Sequence, residues 1–441
     1  MGRLAEVAAT AARGRNDVRS VLLIAFHFPP VHGSSGVQRT LRFAQHLPRF
    51  GWRPVVLTIV PGAYEVTKPV AGNEVPISLE VHRARGFDAA RQLSVAGRYP
   101  RVLALPDRWA TWRFSAVRRA LRIQREQPID AVWSTFPIAT AHSVGLEVTR
   151  RTGLPWVAEF RDPMWQGDYP RDPRVNALWK RMEGEIFARA SRIVVTTPGA
   201  ADEYAARFPT YPRDHIALIP NGFDEETFLQ AAASLPTVKA SVGERPLTLL
   251  HSGIVYRSER DPTCLFAAIA RLKKRGRIAA NQFQLVLRAT GDDAGFTRDV
   301  ARIGIADIVR IEPAVDYLQA LQEMLMADGL LLLQGSNCNA QVPAKLYEYL
   351  RAGRPIVALT DPLGDTARTL ESAGAGILGR LDSVDEIEIA LLTFMGEAKA
   401  DTWRRSAPDT VASFSRQTQA GQLARLLDAM SRQTSSSPGS G

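Results

Sequence analysis

The residues best placed to do chemistry lie in LLLLQGSNCNAQVPAKLYEYLRAGRPIVALT, residues 330–360. A buried strand runs into a small polar loop, and Pro343 suits the first turn of a helix that carries Lys345 and Glu348. The N-terminus of such a helix offers free amide donors and a positive dipole end to a diphosphate. A carboxylate one turn inside it could hold two ribose hydroxyls. The alternative is a surface Lys–Glu pair on a helix that covers a sheet.

A second group of cations follows another apolar run. In HSGIVYRSERDP, residues 251–262, Gly253 ends a predicted strand, and Arg257 and Arg260 come just after it. Guanidinium groups at this place could neutralise a departing diphosphate. A solvated arginine-rich loop is the alternative reading.

Two further segments place small or charged residues after predicted strands. FHFPPVHGSSGVQRT, residues 26–40, carries a loop of small residues, Gly33, Ser34, Ser35 and Gly36. It is either a phosphate or substrate loop or a plain tight turn. PWVAEFRDPMW, residues 155–165, puts Arg161 and Asp162 at the carboxyl end of a buried strand, which is the edge where doubly wound sheets bind ligands.

Several function classes are disfavoured by composition. The loop at Gly33–Gly36 does not have the GxGxxG pattern, and no acidic residue ends the next strand, so a nicotinamide site is disfavoured. The 2 cysteines form no CxxC pair, so a zinc site and a disulfide framework are not expected, and the usage fits a reducing cytoplasm. Asp292 and Asp293 are adjacent and lack the spacing of a DxD motif, so no metal is expected.

The net charge of +10 suits nucleic acid, anionic membrane or phosphorylated substrates. DRWATWRFSAVRRALRIQRE, residues 107–126, interleaves arginines with Trp109 and Trp112. This stretch predicts either an interfacial helix with those tryptophans as anchors or a sheet-covering helix with a basic outer face. No nucleic-acid motif is present, so nucleic acid is not expected as a partner.

The strand pattern predicts an α/β protein with two doubly wound domains. Short runs of Val, Ile and Leu, continuous and not alternating, alternate with helix-length segments, as in parallel sheets buried on both faces. We expect a disordered extension over 1–20, a first domain over 21–219 and a second over 220–404. A helix over 405–432 should pack back on the first domain, and 433–441 should be a disordered tail.

In order and spacing, these segments resemble the family-4 retaining glycosyltransferases of the GT-B fold, in their bacterial exopolysaccharide and surface-glycan branch. FHFPPVHGSSGVQRT looks like that family's first strand, glycine loop and first helix; IPNGFD is similar to the entry to its second domain. PAKLYEYLRAGRPIVA looks like its nucleotide-binding signature. The resemblance implies two Rossmann-like domains facing across a cleft, the second binding a nucleotide sugar.

The resemblance also implies residue roles. Glu348 would hold the ribose, and Lys345 with the amides around Gln341 and Val342 would lie near the diphosphate. Arg260, or Arg257 in its place, would bind phosphate beside Gly253. The loop from Gly33 through Ser34 and Ser35 to Gly36 would close over the sugar and diphosphate, and Arg161 or Asp162 would stand near the reacting sugar.

Two positions depart from the family's pattern. Ala340 stands where many members have a second Glu, and Ile254 where many have Arg. The expected activity is metal-independent, retaining hexosyl transfer from a nucleoside-diphosphate sugar to a glycan or lipid-linked acceptor, with no cofactor. It would take place in the cytoplasm or at the inner face of the plasma membrane, on lipopolysaccharide-type or other envelope glycans. A sugar-nucleotide 2-epimerase and a non-catalytic sugar-nucleotide-binding scaffold remain alternatives.

Overall fold

The computed structural model describes residues 18–31, 35–67, 75–96, 98–167, 169–235 and 245–435. The predicted N-terminal extension and tail lie almost wholly outside these ranges, although β1 already begins at Arg19. Within the described ranges, the chain forms two compact units. The first comprises Met1–Val195, Glu203–Ile219 and Gln419–Gly441, and the second comprises Thr196–Asp202 and Pro220–Thr418.

The first unit is built on a seven-stranded sheet of order β3-β2-β1-β4-β5-β6-β7, in which every neighbouring pair is parallel. Its strands are β1 Arg19–Ile24, β2 Trp52–Ile59, β3 Glu80–Ala84, β4 Ala131–Phe136, β5 Trp156–Phe160, β6 Arg192–Val195 and β7 Ile216–Leu218. The helices that precede or follow them are α1 Ser35–His46, α2 Ala89–Gln92, α3 Trp112–Glu126, α4 Ala139–Thr152, α5 Pro173–Arg189 and α6 Pro198–Arg207.

The second unit repeats this plan with a six-stranded parallel sheet of order β10-β9-β8-β11-β12-β13. Its strands are β8 Leu247–Ser252, β9 Phe283–Arg288, β10 Val309–Glu312, β11 Gly329–Leu333, β12 Ile356–Leu359 and β13 Ile377–Gly379. Its helices are α7 Glu225–Ala233, α8 Thr263–Lys274, α9 Asp293–Ile303, α10 Tyr317–Met326, α11 Ala344–Ala352, α12 Asp365–Ser372, α13 Val384–Ala400 and α14 Pro408–Ser413.

Both sheets reverse their strand order at one internal point, between β1 and β4 and between β8 and β11. Central strands such as β4 and β11 are buried at every position, because helices cover both faces. The predicted class of two doubly wound parallel sheets is therefore confirmed. In such sheets, ligands bind at the carboxyl edge beside the reversal point.

The helix α15 Arg416–Ser435 packs in the first unit although it follows the second unit in sequence. Ala420, Leu423, Ala424 and Leu427 follow helical spacing and are at most 3% exposed, in one cluster with the strand residues of β1. Its Asp428 accepts hydrogen bonds from Trp52 Nε1 at 2.8 Å and from Arg19 at 2.6 Å. Among the described residues, no helix is long and apolar enough to span a membrane.

Candidate functional site

The carboxyl edge of the second sheet carries a close approach between backbone and side chain. β8 ends at Ser252, and Gly253 follows with a φ of 113°, a conformation that other residues rarely adopt. A Cβ atom at Gly253 would lie 3.2 Å from Lys345 Nζ. The backbone conformation therefore favours glycine at this position, and a side chain there would also push the ammonium group of Lys345 aside by a few tenths of an ångström.

Lys345 lies in the first turn of α11 and is half-buried. Its Nζ donates a hydrogen bond to Nε2 of His251, 3.1 Å away, and Nδ1 of His251 lies 2.9 Å from the carbonyl oxygen of Leu331. The imidazole therefore carries its proton on Nδ1, and burial keeps its pKa well below 6.5. Burial, together with the charge of Arg260, lowers the pKa of Lys345 to about 7.

Arg260 is the second cation of this edge. Its Nη1 donates to the carbonyl oxygen of Ile254 at 2.9 Å, and its guanidinium lies 5.3 Å from the ring centre of Tyr256. Among the described residues, neither Arg260 nor Lys345 forms a salt bridge. Two neighbouring cations without a carboxylate partner favour an anion between them.

Arg257, the alternative to Arg260, is already compensated. Its guanidinium lies 2.8 Å from the carboxylate of Asp299 and 3.5 Å from that of Asp292, and 4.3 Å from the ring centre of Phe296. Of the two arginines predicted after β8, Arg260 is therefore the one with charge available to a ligand.

Glu348, one turn further along α11, accepts a 2.7 Å hydrogen bond from the hydroxyl of Tyr317. Burial raises the pKa of its carboxyl, while this hydrogen bond and the charges of Arg416 and Lys345 act in the opposite sense. Lys345 and Glu348 thus have different partners, His251 and Tyr317, and form no ion pair with each other. The alternative of a plain surface Lys–Glu pair does not describe this helix.

Hydrogen bonds and burial fix the loop before α11. Gln341 accepts hydrogen bonds through its carbonyl oxygen from Gln334 at 2.9 Å and from Thr366 at 3.2 Å, and Val342 is 5% exposed. Pro343 is the N-cap residue of α11, just before the helix, and no side chain caps its first turn. Leu346 N already donates to the carbonyl oxygen of Pro343 at 3.0 Å. The amides that precede it at the helix start and the nearby Lys345 side chain form a preorganised donor set for an anion.

The first unit brings together two of the predicted segments. Arg161 follows β5 and donates from Nε to the carbonyl oxygen of Phe136 at 2.8 Å, and its guanidinium lies against Gly36 in α1. A Cβ atom on Gly36 would be 2.5 Å from Nη1 of Arg161, so a larger residue would displace this arginine. Gly33 and Ser34 lie outside the described residues. Ser35 begins α1, and nothing is described of its side chain.

His27 also lies near Arg161, and burial, with the charge of Arg161 added, lowers its pKa to about 3. Asp162 is exposed. Glu159, the third charge of this segment, is instead fully buried, with Arg39 Nη2 at 2.8 Å and Thr135 Oγ1 at 2.9 Å. Arg39 also donates to the carbonyl oxygen of Ile219 at 2.9 Å, so this buried pair joins α1, β5 and the end of the unit.

The alternative in which Trp112 anchors an interface is wrong, while Trp109 is half-buried. Trp112 is fully buried on the inner face of α3, and Trp109 donates from Nε1 to the carbonyl oxygen of Ala63 while packing 4.4 Å from the ring of Phe26. The outer face of α3 instead exposes arginines and Phe114, which is 72% exposed. Trp112 belongs to the buried stripe with Ala116, Ala120 and Ile123.

Sequence reasoning missed His251 and Tyr317. His251 reads as part of an apolar strand, and only its position at the carboxyl end of β8 signals a ligand role. Tyr317 opens α10 just beyond β10, directly after the N-cap Asp316. Among the described residues, no group of three or more His, Cys, Asp or Glu side chains is arranged to hold a metal ion.

Comparison of the sequence and of the structure with known proteins finds similarity to glycosyltransferases. Residues 35–222 match the family model of the glycosyl transferase 4-like domain. No curated protein matches the chain. The described part of the chain has the GT-B fold of two Rossmann-like domains, which solved glycosyltransferases share at low sequence identity.

Three of these structures illustrate the likeness. Sucrose-phosphate synthase from Thermosynechococcus elongatus is 16% identical with a TM-score of 0.64, covering 93% of this chain and 99% of that one. HepE of Anabaena, solved with UDP-glucose, is 14% identical with a TM-score of 0.57 and coverage of 95% and 100%. WaaG, a glycosyltransferase of lipopolysaccharide biosynthesis, is 14% identical with a TM-score of 0.54 and coverage of 96% and 100%.

Proposed function

We propose that the protein is a retaining, metal-independent hexosyltransferase that moves a sugar from a nucleoside-diphosphate sugar to a glycan or lipid-linked acceptor. The observation that carries this proposal is the unpaired cation cluster of Lys345 and Arg260 at the uncapped N-terminus of α11, with Glu348 one turn further on. HepE, of the same fold, was solved with UDP-glucose, which supports a donor of this kind.

In this proposal, each group of the donor has a partner at the carboxyl edge of the second sheet. The diphosphate takes the place between Lys345, Arg260 and the first amides of α11, where Gly253 lets the backbone approach it. The ribose hydroxyls donate to the carboxylate of Glu348, which Tyr317 holds in position. The amides around Gln341 and Val342 also face the diphosphate.

Catalysis in this scheme is stabilisation of the leaving group. As the bond between the anomeric carbon and the diphosphate oxygen breaks, the electron pair stays on the diphosphate, and Arg260 and Lys345 offset the growing negative charge. The acceptor hydroxyl attacks from the same face and passes its proton to the departing phosphate oxygen, which gives retention without a covalent intermediate. Arg161, positioned by Gly36 and Phe136, and Asp162 would bind the reacting sugar or its acceptor.

We place the reaction in the cytoplasm, at the inner face of a bacterial plasma membrane, on an envelope-glycan acceptor such as that of an exopolysaccharide or lipopolysaccharide. Support comes from the basic outer face of α3 and the exposed Phe114 beside it. Several arginines near anionic headgroups contribute about 1 kcal/mol each. WaaG, of the same fold, is a glycosyltransferase of lipopolysaccharide biosynthesis.

A thermal-shift panel of sugar nucleotides tests the donor site first. A true donor at 100 times its Kd adds about 2.7 kcal/mol to the free energy of unfolding. The stabilising compound is then incubated with the protein and a mixture of lipid-linked glycans, and in parallel without acceptor. Transfer only with acceptor supports the proposal; conversion of the donor alone indicates an epimerase, and stabilisation without either reaction indicates a scaffold.

A further inference from the structure

A second basic cavity lies in the same unit at the opposite edge of the sheet. We call it the arginine pocket: a cavity of about 420 Å³ lined by Arg351, Arg354, Trp403, Arg404, Arg405 and Ser406 over an apolar floor. Lys345 lies at the start of α11 and Arg351 near its end, before β12 begins at Ile356. Six residues of helix separate the two by roughly 9 Å along the axis, so the arginine pocket is distinct from the candidate donor site.

The charges of this pocket are largely uncompensated. Among the described residues that line the pocket, Glu225 is the only carboxylate, and Arg351 holds it through two hydrogen bonds of 2.6 Å. Arg405 has one partner, the exposed Asp401, at 3.3 Å. Within the described part of the chain, Arg404 has no ion-pair partner, so the lining carries an excess of positive charge.

Arg354 adds a half-buried guanidinium to this excess. It donates to the carbonyl oxygen of Leu325. Burial lowers its pKa most, and the charges of Arg405 and Arg245 act in the same sense, whereas the nearby carboxylate of Asp328 raises it. Cations that repel one another in a partly desolvated pocket gain most from an anion that offers several acceptor oxygens. A phosphate group, with up to two charges, matches three guanidinium groups better than a single carboxylate does.

The rest of the lining indicates what else the ligand carries. Trp403 lies at the rim with the guanidinium of Arg405 4.5 Å from its ring centre, and Leu350, Ile356 and Val411 form apolar surface inside. The hydroxyl oxygen of Ser406 is buried and has no hydrogen-bond partner among the described residues. An unsatisfied buried hydroxyl in a polar and apolar cavity is a position that a ligand oxygen can fill.

We propose that the arginine pocket binds a phosphate monoester or diester with an apolar body. The phosphate contacts Arg354, Arg404 and Arg405, and the apolar body contacts Trp403 and the floor of the cavity. Such a group occurs in soluble phosphorylated metabolites and in phospholipid headgroups. The proposal does not depend on the transferase activity, because it concerns other residues at the opposite edge of the sheet.

Binding is tested with phenyl phosphate by calorimetry. The background variant is Arg260→Ala with Lys345→Met, which removes the cations of the candidate donor site. We expect saturable binding that Arg404→Glu with Arg405→Glu weakens at least tenfold. The matched control, Arg277→Glu with Arg298→Glu, changes two exposed arginines of the same unit outside the pocket and should alter the affinity less than twofold.

A second arm uses phosphatidylglycerol vesicles, with phosphatidylcholine vesicles for comparison. If phenyl phosphate binds but Arg404→Glu with Arg405→Glu leaves flotation unchanged, the ligand is a soluble phosphate ester. If that variant reduces flotation with phosphatidylglycerol vesicles, the ligand is a lipid headgroup. In either case, Trp403→Phe should remove a ligand-dependent change of tryptophan emission. If neither probe binds, or if the pocket variant behaves like the control variant, the proposal is wrong.

Discussion

Lys345 is a lysine whose charge depends on pH near neutrality, because burial and Arg260 lower its pKa to about 7. An anion between these two cations would favour the charged ammonium and hold its proton in the complex. Binding of a diphosphate at this place is therefore coupled to proton uptake above pH 7. This coupling would distinguish a site for a diphosphate from one for a neutral sugar.

We predict that the affinity for the matching nucleoside diphosphate falls as the pH rises from 7 to 9. Below pH 7, Lys345 is already charged in the free protein, so its contribution to the pH dependence is flat there. Calorimetry in buffers of different ionisation enthalpy measures the proton uptake, and Lys345→Met should abolish it. The same pH dependence in that variant would assign the titration to another group.

The lowered pKa of Lys345 also makes the free energy of unfolding depend on pH. Since the pKa of Lys345 is lower in the folded protein than the usual 10.5, the unfolded chain binds more protons between about pH 7 and 10.5. The cost of the buried charge is fully present below pH 7 and declines as the pH rises. Lys345→Met should therefore stabilise the protein most below pH 7, as measured by denaturant unfolding across this range.

Glu348 should matter for ligand binding more than for folding. We expect Glu348→Ala to weaken binding of the nucleoside diphosphate by about tenfold to a hundredfold, since a hydrogen bond to a charged group contributes roughly 1.5–3 kcal/mol. Glu371→Ala, an exposed glutamate of the same unit, is the control. Unchanged affinity in Glu348→Ala, measured by calorimetry, would leave this carboxylate with a structural role only.

Arg260 should carry much of the leaving-group stabilisation. Arg260→Ala is expected to lower kcat by on the order of a hundredfold, whereas Arg298→Ala, an exposed arginine of the same unit, should leave it unchanged. Because cationic side chains offset the charge in this scheme, activity should also survive EDTA. Loss of activity on chelation and its recovery with manganese would contradict the proposed mechanism.

At the scale of elements, the strand ends decide which residues meet. The parallel register pairs Thr135 with Glu159 and Phe136 with Phe160, so the residues just after β4 and β5 arrive at the same place. This is why Arg161 reaches the carbonyl oxygen of Phe136 and lies against Gly36. Helix α3 shows the complementary case, since its apolar stripe is turned inward and its arginines outward.

The basic outer face of helix α3 leads us to expect binding to anionic membranes. The protein should float with anionic vesicles at low salt and less at high salt, because exposed charges are screened. Replacing Arg113, Arg118 and Arg122 with Glu, or Phe114 with Ser, should reduce flotation. Arg277→Glu with Arg298→Glu tests whether net charge alone is responsible. Absence of flotation at low salt would exclude the membrane part of the proposal but not the transferase part.

Much of this architecture could be predicted from sequence, because strands buried on both faces are continuous runs of Val, Ile and Leu. The start of α11 was signalled by Pro343 after a polar loop. The roles of Tyr317 and His251 could not be found in this way, since they depend on contacts with Glu348 and Lys345, which lie 31 and 94 residues away in sequence. The burial of Trp112 was readable from its spacing to Ala116 and Ala120, but the arginines around it suggested an interface instead.

At the scale of the whole molecule, α15 provides a large share of the first unit's core. Leu423, Leu427 and Met430 are at most 1% exposed, and burial of each such side chain contributes roughly 1.5–3 kcal/mol. Their sum is comparable to the total stability of a typical domain, about 5–15 kcal/mol.

We therefore predict that removing residues 419–441 unfolds the first unit while the second still unfolds cooperatively. Calorimetry should then show one unfolding transition, whereas the complete chain should show two. Removing only residues 436–441, which leaves α15 whole, is the matched control. Two intact transitions after the longer truncation would show that α15 is dispensable for the first unit.

The position of α15 also bears on how the protein is made. A ribosome delivers a chain from its N-terminus, and domains usually fold in that order. Here the first half of the chain emerges without the helix that covers Val21 and Leu23, and this apolar surface stays open until α15 has been translated. The second unit has all of its residues by Thr418 and can fold earlier. During synthesis, the half of the protein that is made first is therefore completed last.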